Sequence, residues 1–217
     1  MGRHARFPFA PVTLMVALLL VLPVAGLSRP AEAARPESDV AAARNYFTDT
    51  ELIDQNGQVH RFYSDLLDGR IVVIDSIFTT CTLVCPVLGQ KMKSLQEAAG
   101  DRLGDDVVLL SISVDPETDT PAKLRAFGSQ YGARDGWYFL TGSRENVSRV
   151  LAKLGFAVDD KESHSTIVLM GNEQTGLWKK TNGLASSGEL VKLFQSVLED
   201  GGARGAAGSA AGARGGR

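Results

Sequence analysis

Two cysteines, Cys81 and Cys85, are the only ones in the chain, and four positions separate them in Phe78-Thr-Thr-Cys-Thr-Leu-Val-Cys-Pro86. A pair so close offers a dithiol/disulfide couple or two soft ligands for one metal ion. A β-branched run, Ile71–Phe78, leads in, and an amphipathic stretch from Pro86 to Leu103 follows. The pair therefore stands where a buried strand hands over to a helix, with Pro86 suited to the first helical position. At i and i+4 the two sulfurs face the same way if the second lies in the first helical turn. The N–H groups and positive dipole end there favour a thiolate at Cys85. A purely structural staple is the weaker reading, because a disulfide stabilises most when it closes a long loop.

The elements around the pair can be read from periodicity. Asn56-Gly57 between Glu51 and His60 signals a hairpin. Val107–Val114 is a second buried strand, and Asp115–Asp119 is a turn before a helix starting near Thr120-Pro121. A strand at Trp137–Thr141 and a helix at Ser143–Leu154 come next. A hairpin of Ser165–Met170 with Leu177–Thr181 leads to a last helix capped by Ser186 or Ser187. Strands alternating with helices imply an α/β fold with parallel pairing and helices on both faces. The order points to a thioredoxin-like architecture: a central mixed sheet with an N-terminal β-hairpin extension. Ala34 to Tyr46 reads as a linker, and 47–200 as the folded domain.

The ends read differently. Residues 1–33 begin with Arg3, His4 and Arg6, continue through an apolar stretch at Val12–Val24, and finish on Ala31-Glu-Ala33. This pattern is that of a secretory signal peptide, with an uncleaved membrane anchor as the alternative. Export implies a bacterial periplasmic location, with tethering to the inner membrane if the anchor is retained. Gly201–Arg217 is Gly, Ala, Ser and three arginines, a composition that buries too little to order itself. Between these ends, residues 34–200 hold 17 basic and 24 acidic side chains. An acidic core lacks the basic footprint of a nucleic-acid binder.

Beyond residue 33 the only histidines are His60 and His164. His60 ends the first hairpin and reads as exposed. His164 precedes the Ser165–Met170 strand, whose start packs beside the dithiol loop in a thioredoxin-like fold. Redox members of that fold keep a cis-proline there, but this chain has no proline after Pro121. Two thiolates and one imidazole suit copper, whereas structural zinc usually takes four ligands.

The combination resembles the Sco/SenC family, thioredoxin-like copper-binding proteins of cytochrome c oxidase assembly. Four segments carry the likeness: Phe78–Pro86, Ser111-Ile-Ser-Val-Asp-Pro-Glu-Thr-Asp-Thr-Pro121, Trp137–Ser143, and His164 before its strand. The resemblance implies one copper ion per chain, held by Cys81, Cys85 and His164. It also implies an exported apo-copper protein, an oxidase subunit, as partner. Thr82 stands where many members have proline, and Ser163, with Glu162 one step further, where many have an acid. Asp115 matches a family position near the site; its other reading is a turn residue before Pro116.

Alternatives to metal carriage are thiol–disulfide exchange by Cys81 and Cys85, a thiol peroxidase and a stapled binding domain. Thr82-Leu-Val-Cys85 loosely resembles the peroxiredoxin Thr-x-x-Cys, but Phe78 stands in place of its proline.

Overall fold

The uniform burial of Ile71–Ile77 (β3) and Val107–Ser113 (β4), seven residues each, sets the architecture. Strands buried on both faces must lie at the centre of a sheet covered by helices on each side. The computed structural model describes residues 35–157, 160 and 165–201. The chain divides between Ala34 and Arg35, and the second unit is the one described here. The signal-peptide segment 1–33, all but the first residue of the Gly/Ala/Arg tail, and His164 lie outside the described residues. Among the described residues no helix is long and apolar enough to cross a membrane.

The chain runs through α1 (Glu37–Phe47), β1 (Glu51–Ile53), β2 (Val59–Arg61), a π-helical turn (Phe62–Leu67) and β3. It continues with α2 (Cys85–Ala99), β4, α3 (Pro121–Ser129), β5 (Trp137–Leu140) and α4 (Arg144–Leu154). It closes with β6 (Ile167–Asn172), β7 (Leu177–Asn182) and α5 (Ser187–Leu198). The five-stranded sheet has the order β5-β4-β3-β6-β7. β3, β4 and β5 are parallel, and β6 and β7 are antiparallel. This is the expected mixed α/β sheet with helices on both faces.

Alternation along β3 sorts the two cores. Val73 and Ile77 join Met92, Leu95, Leu109, Trp137 and Phe194 on the side of α2, α3 and α5. Val72 and Ile74 join Val108, Leu110, Val150 and Leu154 on the side of α1 and α4. Gly89 in α2 admits the Tyr131 ring, whose atoms would lie 2.4 Å from an added Cβ. Tyr131 thereby packs against the helix one turn beyond Cys85.

Two expectations are corrected. The segment taken for a linker is the helix α1. Val40, Ala43 and Phe47 seat it on the second core, an apolar stripe too sparse to stand out in the sequence. His60 is not exposed: it is 7% accessible. Its Nε2 lies 3.2 Å from Asp54 Oδ2, and its ring meets Tyr138 edge-on. Asp54 in turn accepts the N–H groups of Asn56 and Gln58, so one carboxylate ties the hairpin turn to the histidine.

The hairpin itself forms as expected, with Leu52 opposite His60. It docks on the end of the sheet through reciprocal bonds between Ile53 and Thr141. The Gln55 side chain donates to the Trp137 carbonyl at 3.1 Å and accepts from Phe139 N–H at 2.8 Å. It covers part of the open edge of β5, where unpaired backbone groups would otherwise invite another strand.

Candidate functional site

The dithiol loop leaves β3 at Phe78, which is buried, and its shape depends on one carboxylate from elsewhere in the chain. Asp119 is fully buried. Its oxygens accept the Thr79 N–H at 3.2 Å and the Thr79 hydroxyl, and Oδ2 accepts the Ser113 hydroxyl at 2.6 Å. Ser113 Oγ also accepts the Asp115 N–H at 3.0 Å. The Asp115 carbonyl accepts from Thr118 and Asp119, which turns the chain back so that Asp119 reaches the loop. The Asp115 backbone thus shapes the turn before Pro116, and Asp119 is the anchor.

Cys81 is partly exposed, and Cys85 is fully buried at the start of α2. No side chain caps this helix in the usual way. Instead the Cys85 N–H donates to Cys81 Sγ at 3.3 Å. Burial pushes the Cys81 thiol up, but hydrogen bonds from Cys85 Sγ and from the backbone of Cys85, Leu83 and Val84 outweigh it. The net direction is downward. The N–H groups at and just before the helix start therefore stabilise a thiolate on Cys81, four positions earlier, not on the cysteine that begins the helix. Burial, then the neighbouring Cys81 sulfur, push the Cys85 thiol strongly up, and the charge of Asp75 adds to this. The sequence expectation that Cys85 holds the favoured thiolate is reversed by its depth.

Beneath the pair lies a polar group inside the apolar face of the sheet. Asp75 of β3 stands opposite Ser111 of β4 and accepts its hydroxyl at 2.6 Å. Ser111 Oγ in turn accepts the Trp137 indole N–H at 3.0 Å. Asp75 Oδ2 has no hydrogen-bond partner among the described residues. Burial raises the Asp75 carboxyl to about 7, against the pull of the Ser111 and backbone hydrogen bonds. Tyr131 completes the floor; burial and then the two sulfurs push its phenol up.

Cys81 and Cys85 are brought together, and no third His, Cys, Asp or Glu joins them among the described residues. His164 lies outside those residues, and His60 is committed to Asp54 and Tyr138. Asp119 and Asp75 are the residues the sequence reading missed. The signal for Asp75 was a lone acid inside a β-branched run; for Asp119 it was the second acid in Asp115-Pro-Glu-Thr-Asp119.

A strand-to-helix dithiol held by a carboxylate from the Ser111–Pro121 segment can be compared with known proteins. The SCO1/SenC family model matches residues 38–199, which include every element described except the first residue of α1. The chain belongs to the SCO1/SenC family. A Stutzerimonas stutzeri protein named for copper binding is 30% identical over 142 residues, covering 65% of this chain and 68% of its own length. The crystal structure of a SCO1/SenC family lipoprotein from Bacillus anthracis superposes with a TM-score of 0.59 at 28% identity, covering 69% of this chain and 92% of that one. BsSco, described as a member of the Sco family of cytochrome c oxidase assembly proteins and bearing a disulfide switch, matches with a TM-score of 0.56 at 28% identity. That match covers 68% of this chain and 90% of BsSco. These likenesses bear out the family resemblance and the thioredoxin-like mixed sheet.

The inequality of the two thiols in this SCO1/SenC domain is directly measurable. Under native reducing conditions at neutral pH, iodoacetamide labels Cys81 at least about tenfold faster than Cys85, because the thiolate fraction and access both favour Cys81. Peptide mapping of partly alkylated protein reads the ratio. Equal rates would contradict the burial of Cys85.

Proposed function

We propose that this SCO1/SenC protein carries copper as cargo outside the cytosol, in the periplasm. In this reading Cys81 and Cys85 supply two thiolates and His164 an imidazole. The ion passes to an exported apo-copper protein of a respiratory oxidase. The observation that carries the reading is the partly exposed, thiolate-favouring Cys81 beside a second sulfur one helical turn away. Soft thiolates select Cu(I), and imidazole suits either copper state. The relative named for copper binding and the assembly role given for BsSco support the same choice.

The chain's own part in such a cycle follows from the site. Cys81 meets the incoming ion first, because it is accessible and its thiolate is already stabilised. Cys85 gives up its proton only once a cation offsets the cost of a buried charge, so affinity rises with pH. The test is an anaerobic Cu(I) competition titration of the reduced protein, repeated on C81S/C85S and on His164→Ala. One tight site is expected, absent without the thiols and weakened without the imidazole. Failure of the parent protein to hold Cu(I) against a moderate competitor would overturn the proposal.

A second reading, thiol–disulfide exchange, is favoured by the same inequality. The Cys81 thiolate attacks a partner's disulfide, forming a mixed disulfide and expelling one partner thiolate. Cys85 then attacks Cys81 Sγ, and its proton passes to the second departing thiolate. The first expelled partner thiolate takes a proton from water; the partner gains two electrons and leaves as a dithiol, and Cys81 and Cys85 end as a disulfide. A Cys85→Ser variant would trap the mixed disulfide through Cys81, and the absence of any adduct would exclude this route.

A further inference from the structure

On the face of the sheet that does not carry the dithiol, the helical layer leaves an opening between α1, the end of α4 and strands β6 and β7. The cavity holds about 460 Å³, within the range of small-molecule sites. Its floor is apolar and aromatic. Phe47 is buried there, Leu169 lies beneath, and the Trp178 ring stands 5.0 Å from that of Phe47. Its rim carries Lys153 and Lys180, and no carboxylate lines it among the described residues. Neither lysine forms a salt bridge among the described residues. The Lys179 ammonium turns to the opposite face, where it donates to Ser196 Oγ of α5. The Lys153 ammonium sits 5.7 Å from the centre of the Tyr46 ring.

Residues 34–200 carry seven more acidic than basic side chains, so two lysines without acidic partners over an aromatic floor run against the charge of the domain. The arrangement matches a ligand with an apolar body and one anionic end. The chain's own termini have the wrong sign: residues 201–217 carry three arginines and no acid, and residues 1–33 three basic groups and one acid. Neither terminus supplies a matching anionic end. Two aromatic rings facing one opening favour a flat body over a flexible chain, because rings stack in offset or tilted contact.

We propose that this cavity binds a small aromatic carboxylate, with its ring packed against the Phe47–Trp178 pair and the carboxylate at the lysine rim. The site is separate from the dithiol and independent of copper carriage.

The full chain, reduced and metal-free, would be titrated with 2-naphthoate, following the tryptophan indole N–H signals by NMR. There are two tryptophans, and Trp137 lies in the opposite core, so Trp178→Phe assigns the peaks. The expected result is a saturable shift of the Trp178 signal at sub-millimolar ligand, with Trp137 unmoved. Lys153→Gln/Lys180→Gln, both surface changes, weakens binding about tenfold, the loss expected from two partly exposed ion pairs. Uncharged 2-naphthol binds correspondingly less. No saturable shift at millimolar naphthoate, affinity unchanged in the lysine variant, or decanoate binding more tightly than naphthoate would each overturn the proposal.

Discussion

Asp119→Ala lowers the unfolding free energy by about 3 to 5 kcal/mol, each buried donor left without an acceptor costing about 1–3 kcal/mol. Three donors depend on this carboxylate: the Thr79 N–H, the Thr79 hydroxyl and the Ser113 hydroxyl. Asp119 and Ser113 are fully buried, so water does not replace the acceptor lost to the Ser113 hydroxyl without local opening; Thr79 is half-buried. The effect is not confined to stability. Thr79 stands two residues before Cys81, and a released loop no longer holds Cys81 Sγ over the N–H of Cys85. The alkylation preference for Cys81 therefore narrows in Asp119→Ala, under conditions where the variant is still folded. Asp119→Asn keeps one acceptor oxygen and falls between the two. Urea melts combined with alkylation ratios check both parts. A double-mutant cycle with Thr79→Val isolates the coupling, since Thr79 and Asp119 share bonds and their losses will not add. A stable Asp119→Ala domain with an unchanged alkylation ratio would show that the loop holds its shape without this anchor.

Asp75→Asn is expected to stabilise the domain, most of all above neutrality. In the native state the Asp75 carboxyl titrates near 7, because burial disfavours its charge. In the unfolded chain it titrates near 3.8. Between these values the unfolded state binds fewer protons than the native state, so the contribution of Asp75 to stability falls as pH rises. That contribution is complete below about 3.8 and is lost once pH passes through 7. At 1.36 kcal/mol per unit, the shift corresponds to about 4 kcal/mol lost by pH 8. Asparagine stays neutral and keeps an acceptor for the Ser111 hydroxyl, but its NH2 group faces the position where Oδ2 has no partner. That unpaired donor costs about 1–3 kcal/mol. The net gain at pH 8 is therefore about 1 to 3 kcal/mol, and at pH 4 the variant is no more stable than the parent. Denaturant melts of both proteins across pH 4–8 read the difference. Parallel pH profiles would show that Asp75 does not hold its proton in the native state.

These two carboxylates mark the boundary between local and long-range information in this chain. The Cys81–Cys85 spacing, the lead-in strand, Pro86 at the helix start and the hairpin around Asn56-Gly57 were legible in order along the sequence. Each rests on periodicity or turn chemistry within a dozen residues, and β3, α2 and the β1–β2 hairpin formed where that periodicity placed them. The mixed sheet followed from the order of elements, since strands joined through helices pair in parallel and the last hairpin returns antiparallel.

What only tertiary structure decided were facts of register and depth. Asp75 faces Ser111 because β3 and β4 pair in one register, and a slip of one residue would turn both to the other face. Asp119 reaches Thr79 across 40 positions because the β4–α3 turn folds back over the loop. His60 is buried because the hairpin docks on the end of β5, a contact that no alternation within the hairpin encodes. The ranking of the two thiols was decided in the same way. Local sequence puts Cys85 at the helix start, where a thiolate is favoured. Packing against Phe78, Asp75 and Tyr131 removes it from water, and the helix N–H groups serve Cys81 instead. Residue type and spacing determined that two sulfurs would meet at the head of a helix. The cost of burying charge, set by chain segments remote in sequence, determined which of them is ready to react.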